Sequence, residues 1–155
     1  MDNDAFRATY REVNPLACPF EKTILTNNGG CSLAHRFCIA EREGVQCGSE
    51  SARGACISLL DLLRQRARFA LKSADAPPAL PHAKAMRIQV GGLRGIRLAM
   101  TPEHPVAGFI EDIRAIVAAA IARYDSLEQL PFTEIMRQIS AYEGRRHGRR
   151  PDKRR

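Results

Sequence analysis

The sequence predicts a small, mainly α-helical domain with at most one short β-hairpin. Three long stretches repeat apolar residues at helical spacing, whereas residues 85–100 alternate apolar and polar side chains as a half-buried hairpin does. A chain of 155 residues with 45% hydrophobic content is long enough to bury one core without cross-links. We therefore expect one globular domain over residues 1–143, followed by a basic, disordered tail over residues 144–155.

The domain divides at residues 73–84, a proline- and alanine-rich stretch that is predicted to be a linker. Before it, residues 1–72 form a cysteine-rich half. A weak helix over residues 4–13 ends ahead of Pro15, because the residue before a proline is disfavoured in the helical region. A second short helix is expected to begin just after Cys18.

Two further helices complete the cysteine-rich half. Ser32 is a suitable N-cap for a helix that runs to about residue 43, and Gly44 ends it. Ser49 caps the first long helix, over residues 50–72. Its predicted buried stripe repeats at helical spacing and consists of Ala52, Cys56, Leu59, Leu60, Leu63, Ala67 and Leu71.

Residues 85–143 are predicted to form a hairpin plus two helices. The strands are residues 85–90 and 96–100, and the glycine-rich stretch between them is the turn. A short helix after Gly92 is the competing interpretation.

The last two helices show the clearest periodicity. Apolar residues keep strict helical spacing from Val106 to Tyr124, and Pro131 opens a final helix with an apolar stripe of its own. The short connection over residues 125–130 predicts a C-terminal antiparallel helix pair.

All five cysteines lie between residues 18 and 56. The N-terminus shows no signal-peptide pattern and no apolar run is long enough to cross a bilayer, so we expect a cytoplasmic protein without a transmembrane segment. Thiols stay reduced in the cytoplasm, where clustered cysteines bind metal more often than they form disulfides. The cluster therefore predicts a metal site.

The spacing of the cysteines argues against several kinds of site. It contains no Cys-x-x-Cys pair, which argues against a thioredoxin-like motif, c-type haem attachment and a zinc knuckle. What remains is a site that takes single ligands from loops and helix starts. Pro19 and the Gly29-Gly30 pair are typical neighbours of cluster ligands. The four cysteines in such positions are the predicted ligands: Cys18, Cys31, Cys47 and Cys56.

Two other side chains are possible substitute ligands. Cys38 falls in the middle of the predicted third helix between Phe37 and Ile39, and we expect it to belong to the core. His35, on the same helix edge as Cys31 and Cys38, would complete a Cys/His zinc site, with a plain surface role as the alternative.

Three functional interpretations remain open, because thiolates bind iron–sulfur clusters and zinc alike. The leading one is a 4Fe-4S protein that acts in electron transfer or as an accessory or sensing subunit of a larger protein or enzyme complex. The second is a zinc-stabilised module that docks on nucleic acid or a partner protein through its basic tail. The third is a helical adaptor with reduced thiols. No Gly-x-Ser-x-Gly or His-Glu-x-x-His motif indicates catalysis.

The positive charge of the protein is concentrated at one end. Of the net charge of +7, residues 145–155 contribute +6, which leaves the domain nearly neutral. Such an arm is suited to contact a polyanion or an acidic partner. Its basic residues are Arg145, Arg146, Arg149, Arg150, Lys153, Arg154 and Arg155.

Overall fold

The computed structural model of the protein describes residues 3–70, 82–103 and 108–144. These residues form a mainly α-helical fold with one two-stranded antiparallel hairpin, which confirms the predicted fold class. None of the described helices combines the length and the hydropathy needed to cross a membrane. Most of the predicted linker and all seven basic residues of the tail lie outside the described residues.

The elements follow one another with short connections. In chain order they are α1 (Asn3–Val13), α2 (Glu21–Leu25), β1 (Ala34–Ile39), β2 (Arg42–Cys47), α3 (Glu50–Ala70), α4 (His82–Met86), α5 (Gly92–Met100), α6 (Ile113–Tyr124) and α7 (Phe132–Ala141). A π-helical turn, Arg87–Gly91, joins α4 to α5, and a 3-10 turn, Leu127–Gln129, lies between α6 and α7.

Helix α3 is the centre of the fold. Leu59, Leu63 and Ala67 of its predicted stripe are buried, and the helix packs against α6, α7 and the π-helical turn. Burying this leucine-rich face supplies a large part of the hydrophobic stabilisation, since a fully buried leucine contributes about 1.5–3 kcal/mol. The helix also carries Cys56, so the core and the cysteine-rich half share one element.

The hairpin lies where the sequence predicts the third helix, so that helix prediction is wrong. Strand β1 pairs with β2 in antiparallel register, and Phe37 faces Gly44 across the pair. Gly44 does not end a helix. A Cβ atom at this position would lie 2.5 Å from Cζ of Phe37, so glycine leaves room for the aromatic ring. From Arg36 to Ile39 the side chains alternate between exposed and partly buried, which is the strand period.

The predicted hairpin over residues 85–100 is also wrong, because this stretch is helical throughout. The competing interpretation, a short helix after Gly92, is confirmed by α5. Gly91 and Gly95 do not form a turn. Cβ atoms there would lie 2.8 Å from Cα of Ile139 and of Ile135, so the two glycines let α7 approach the backbone closely.

The C-terminal helices pack differently from the predicted pair. Helix α7 makes its main contacts with α5 and the π-helical turn, and α6 packs against α5 and α3 rather than mainly against α7. Helix α6 begins at Ile113, several residues later than predicted, because Ile110 forms a bridge with Gly29 instead. This bridge joins the cysteine-rich half to the C-terminal helices.

Candidate metal centre

Backbone hydrogen bonds hold Cys18 beside the end of β2. The N–H of Cys18 donates to the carbonyl of Val45 at 3.0 Å, and the N–H of Cys47 donates to the carbonyl of Leu16 at 2.7 Å. The loop before α2 therefore runs alongside β2 like a short third strand, with a bridge between Ala17 and Gln46. Cys18 and Cys47 are neighbours for this reason, although 29 positions separate them in the sequence.

Cys31 is placed by the two glycines that precede it. The N–H of Gly30 donates to the carbonyl of Ile110 at 2.8 Å, and the carbonyl of Gly30 accepts from Ile113 at 2.9 Å. The carbonyl of Cys31 accepts a hydrogen bond from the N–H of Ala34, and Ala34 pairs directly with Cys47 in the hairpin. The hairpin and the start of α6 thus fix Cys31 at the same end of the molecule as Cys47.

Cys56 reaches the same region from the second turn of α3. The side chain of Ser49 accepts a hydrogen bond from the N–H of Ala52 at 3.2 Å and so caps the helix as predicted. Arg53 donates from Nε to the carbonyl of Ala17 at 2.8 Å, which ties the helix start to the loop that carries Cys18.

The thiols of Cys18 and Cys56 are sensitive to the charges of the neighbouring cysteines. The pKa of Cys18 is raised to about 12, first by burial, against a hydrogen bond from the Phe20 backbone that lowers it, and then by the negative charges of Cys56, Cys31 and Cys47. The pKa of Cys56 is also raised to about 12, first by burial and then by the charges of Cys31 and Cys47. Cys18 and Cys56 are therefore each close enough to Cys31 and Cys47 to be repelled by them when the thiols are ionised.

The surroundings of these thiols are partly apolar. Cys18, Cys31 and Cys56 pack against the hydrophobic core, and each of the four is partly buried. Cys47 donates a hydrogen bond from Sγ to the carbonyl of Ser49 at 3.2 Å. All five cysteines are free thiols.

Cys38 and His35 differ from this group in exposure, although the His35 ring lies close to Gly48, the residue after Cys47. Both are exposed on β1, so the expectation that Cys38 belongs to the core is wrong. In a strand, residues three apart point to opposite faces, so these two side chains do not share an edge as they would on a helix. Cys38 is also not among the groups that raise the pKa of Cys18 or Cys56.

A network of polar side chains supports the Cys18 loop from the outside. Glu21 accepts hydrogen bonds from the hydroxyl of Tyr10 and from the N–H of Val45, and buried Asn14 donates to the carbonyl of Val45. Burial, followed by the hydrogen bond to Glu21, raises the pKa of Tyr10. The sequence shows Tyr10 and Asn14 only as the end of a weak helix, because their partners lie far along the chain.

Asp112 is a second residue that sequence reasoning misses. Its Oδ1 accepts a hydrogen bond from the N–H of Ser32 at 3.1 Å, next to Cys31. Burial alone would raise the pKa of Asp112, but the backbone and side-chain hydrogen bonds from Ser32 outweigh it, and the pKa is lowered. The sequence places Asp112 inside the helical pattern that begins at Val106, whereas the contact with Ser32 spans 80 residues of sequence.

Among the described residues, no three Cys, His, Asp or Glu side chains come together closely enough to bind a single metal ion. Comparison of the chain with protein-family models, with curated proteins and with solved structures gives no significant match. The function of the protein is therefore inferred from the residues of this chain alone.

Proposed function

We propose that this chain is a small iron–sulfur protein in which Cys18, Cys31, Cys47 and Cys56 ligate one 4Fe-4S cluster. The observation that carries the proposal is that these four thiols come from four separate segments, which hydrogen bonds hold side by side, and that all four are partly buried. Neighbouring thiolates repel one another, so a cationic centre would be needed to stabilise them in the ionised form.

The spacing of the cysteines along the sequence favours a cluster over zinc. Structural zinc sites usually take their cysteines as close pairs on tight turns, and this chain has no Cys-x-x-Cys pair. A cluster accepts single ligands from separate segments, and these four cysteines come singly from two loops, the end of β2 and the second turn of α3.

The chain would contribute burial and hydrogen bonding to the chemistry. A cluster of this kind supplies a one-electron donor and acceptor when it is bound. The Phe20 N–H directed at Cys18 is the type of donor that adjusts cluster potentials, and the apolar contacts of Cys18, Cys31 and Cys56 restrict water. Electron transfer, or an accessory or sensing role beside a larger enzyme, fits these features because no catalytic motif accompanies the cysteines.

The test is a cysteine substitution series on protein purified without oxygen. We expect the full chain to be brown, with broad absorbance near ~400 nm from sulfur-to-iron charge transfer. Serine at position 18, 31, 47 or 56 should remove most of this absorbance and the bound iron. Cys38→Ser and His35→Ala are the matched controls, and both should retain iron.

Two outcomes would contradict the proposal. A colourless protein with about one zinc per chain would favour the zinc-stabilised module. A protein that binds neither metal under iron-replete conditions would leave four reduced thiols and no metal function.

A further inference from the structure

A cleft that none of the proposed cluster ligands lines has no role in the metal centre. It lies between the end of α2, the start of α4 and the residues that follow α7, and its volume is about 810 Å³. Small-molecule sites commonly measure roughly 300–1,000 Å³. None of the five cysteines lines it.

The charge of the cleft is positive. Arg87 and Arg94 line it, and Glu143 is the one acidic side chain among those lining residues that the structure describes. The described part of the chain offers Arg87 no hydrogen-bond or ion-pair partner. Arg94 donates from Nε to the carbonyl of Gly108 at 3.4 Å and stacks at 5.5 Å from the ring centre of Tyr142, which orients its guanidinium group.

A second arginine lies close to Arg94. The pKa of Arg97 is lowered, first by burial and then by the charge of Arg94, while the charge of Glu111 opposes the shift. An oxyanion is a favourable partner for the Arg94 guanidinium group, because it accepts bidentate hydrogen bonds from the arginine fork.

The backbone around the cleft is irregular in two places. Asn27, on one wall, has a φ of 58°, in the left-handed region, and its Oδ1 accepts from Arg36 at 3.4 Å, so its amide N–H groups remain as donors. The π-helical turn Arg87–Gly91 begins at the opposite wall. Both features cost conformational energy and are frequent at binding sites.

Part of the cleft wall is apolar. Leu25, Ala83 and Met86 lie near the two arginines, and the ring of Tyr142 adds an aromatic surface. A ligand that fills this space would combine a charged head with a compact apolar body.

We propose that this cleft binds a small organic oxyanion, with its phosphate or carboxylate head between Arg87 and Arg94 and its apolar body against Met86 and Tyr142. The cleft shares no lining side chain with the four proposed cluster ligands. The basic tail is the main competing source of anion binding in this chain, and the experiment must separate the two.

Isothermal titration calorimetry of the full chain with phenyl phosphate tests the proposal. We expect saturable binding with one ligand per chain, and tighter binding than inorganic phosphate because the phenyl ring buries apolar surface. Arg87→Gln and Arg94→Gln should each raise the Kd by about tenfold or more, since each removes charge-assisted hydrogen bonds. Ala83→Glu, which leaves both arginines in place, should abolish binding by repulsion.

Arg149→Gln in the tail and Arg64→Gln on the exposed face of α3 are the controls, because each removes the same single charge elsewhere. Both should leave the Kd within about twofold, as expected for distant exposed charges. Absence of saturable binding would overturn the proposal. An equal loss of affinity in Arg149→Gln would also overturn it, because the anion would then be bound by the tail. Thermal melts of the variants check that each one is folded.

Discussion

The Cys31 segment depends on single residues that lie far from it in the sequence. Ser32 donates its N–H to Asp112, and Gly29 packs so tightly against Thr23 and Ile110 that a Cβ atom would lie 3.1–3.2 Å from both. The cysteines themselves could be predicted as ligand candidates, because a scarce side chain was concentrated in one stretch. Asp112 could not, since one acidic residue within a predicted helix carries no information about a contact 80 positions away.

Replacing Asp112 with Asn should lower the free energy of unfolding at pH 7 by less than about 1 kcal/mol, because the group is largely exposed and its interaction is screened. Its pKa is lowered in the folded protein, so its stabilisation is present above the unfolded pKa and is lost as pH falls through the folded one. The difference from wild type should therefore diminish progressively as the pH is lowered from 7 into the acid range. Urea unfolding at a series of pH values measures it, with Glu128→Gln as the exposed control. A difference that stays constant down to the lowest pH would assign the effect to something other than the carboxylate charge.

Glycines decide how the C-terminal helices pack. In the sequence, the stretch from Gly91 to Gly95 resembles a turn between two strands, because glycine favours turns and the flanking residues alternate. In the structure, the same glycines are helical and allow close contact with α7. The local sequence pattern cannot distinguish a glycine needed for a turn from one needed for helix contact. The contact partner of Gly95, for example, is Ile135, which lies 40 residues further along the chain. The long helices α3 and α6 were predictable because their apolar stripes are buried in the core.

Gly95→Ala should destabilise the protein by about 1–3 kcal/mol, the usual cost of overpacking. The added Cβ would meet the backbone of Ile135 at 2.8 Å, and backbone cannot rotate away as a side chain can. Gly54→Ala on α3 is the matched control, because nothing lies within 4 Å of its position. That variant should gain roughly 0.5–1 kcal/mol from helix propensity. Urea denaturation of both tests the close packing, and equal effects of the two substitutions would contradict it.

At the scale of the whole molecule, polar and apolar contacts join the two halves that the sequence divides. Thr23 of α2 donates from its hydroxyl to buried Gln89 in the π-helical turn at 3.0 Å, and Ile110 donates its N–H to Asn28 at 3.0 Å. Helix α3 packs against both sides. The position of the hairpin was not predictable from local periodicity.

Removing the metal should loosen the chain unevenly. Residues 18–47 consist of short elements and hold few buried apolar side chains, so hydrogen exchange should accelerate there first. Helices α3, α6 and α7 should remain protected through their buried stripes. Hydrogen exchange on protein treated with a chelator and an oxidant measures this. Simultaneous loss of protection in every helix would mean that the site supports the whole fold.

The basic tail should affect association and not folding. Replacing its seven basic residues with Gln should leave the Tm and the metal content unchanged, because the charges carry no apolar anchor for the core. Affinity for heparin should fall by at least about tenfold, and in the wild type it should weaken between 50 and 200 mM salt, as counterion release requires. Fluorescence anisotropy at several salt concentrations measures both. Unchanged affinity in the Gln variant would remove the tail from this role.

Native mass spectrometry of the full chain, purified without oxygen, is the most direct test of cluster binding by the four cysteines. We expect a mass above that of the polypeptide by about four irons and four sulfides, the composition of one cubane. This increment should be retained in Cys38→Ser and lost in Cys18→Ser. An increment of one zinc, or a bare polypeptide mass under iron-replete conditions, would contradict the assignment of Cys18, Cys31, Cys47 and Cys56 as cluster ligands.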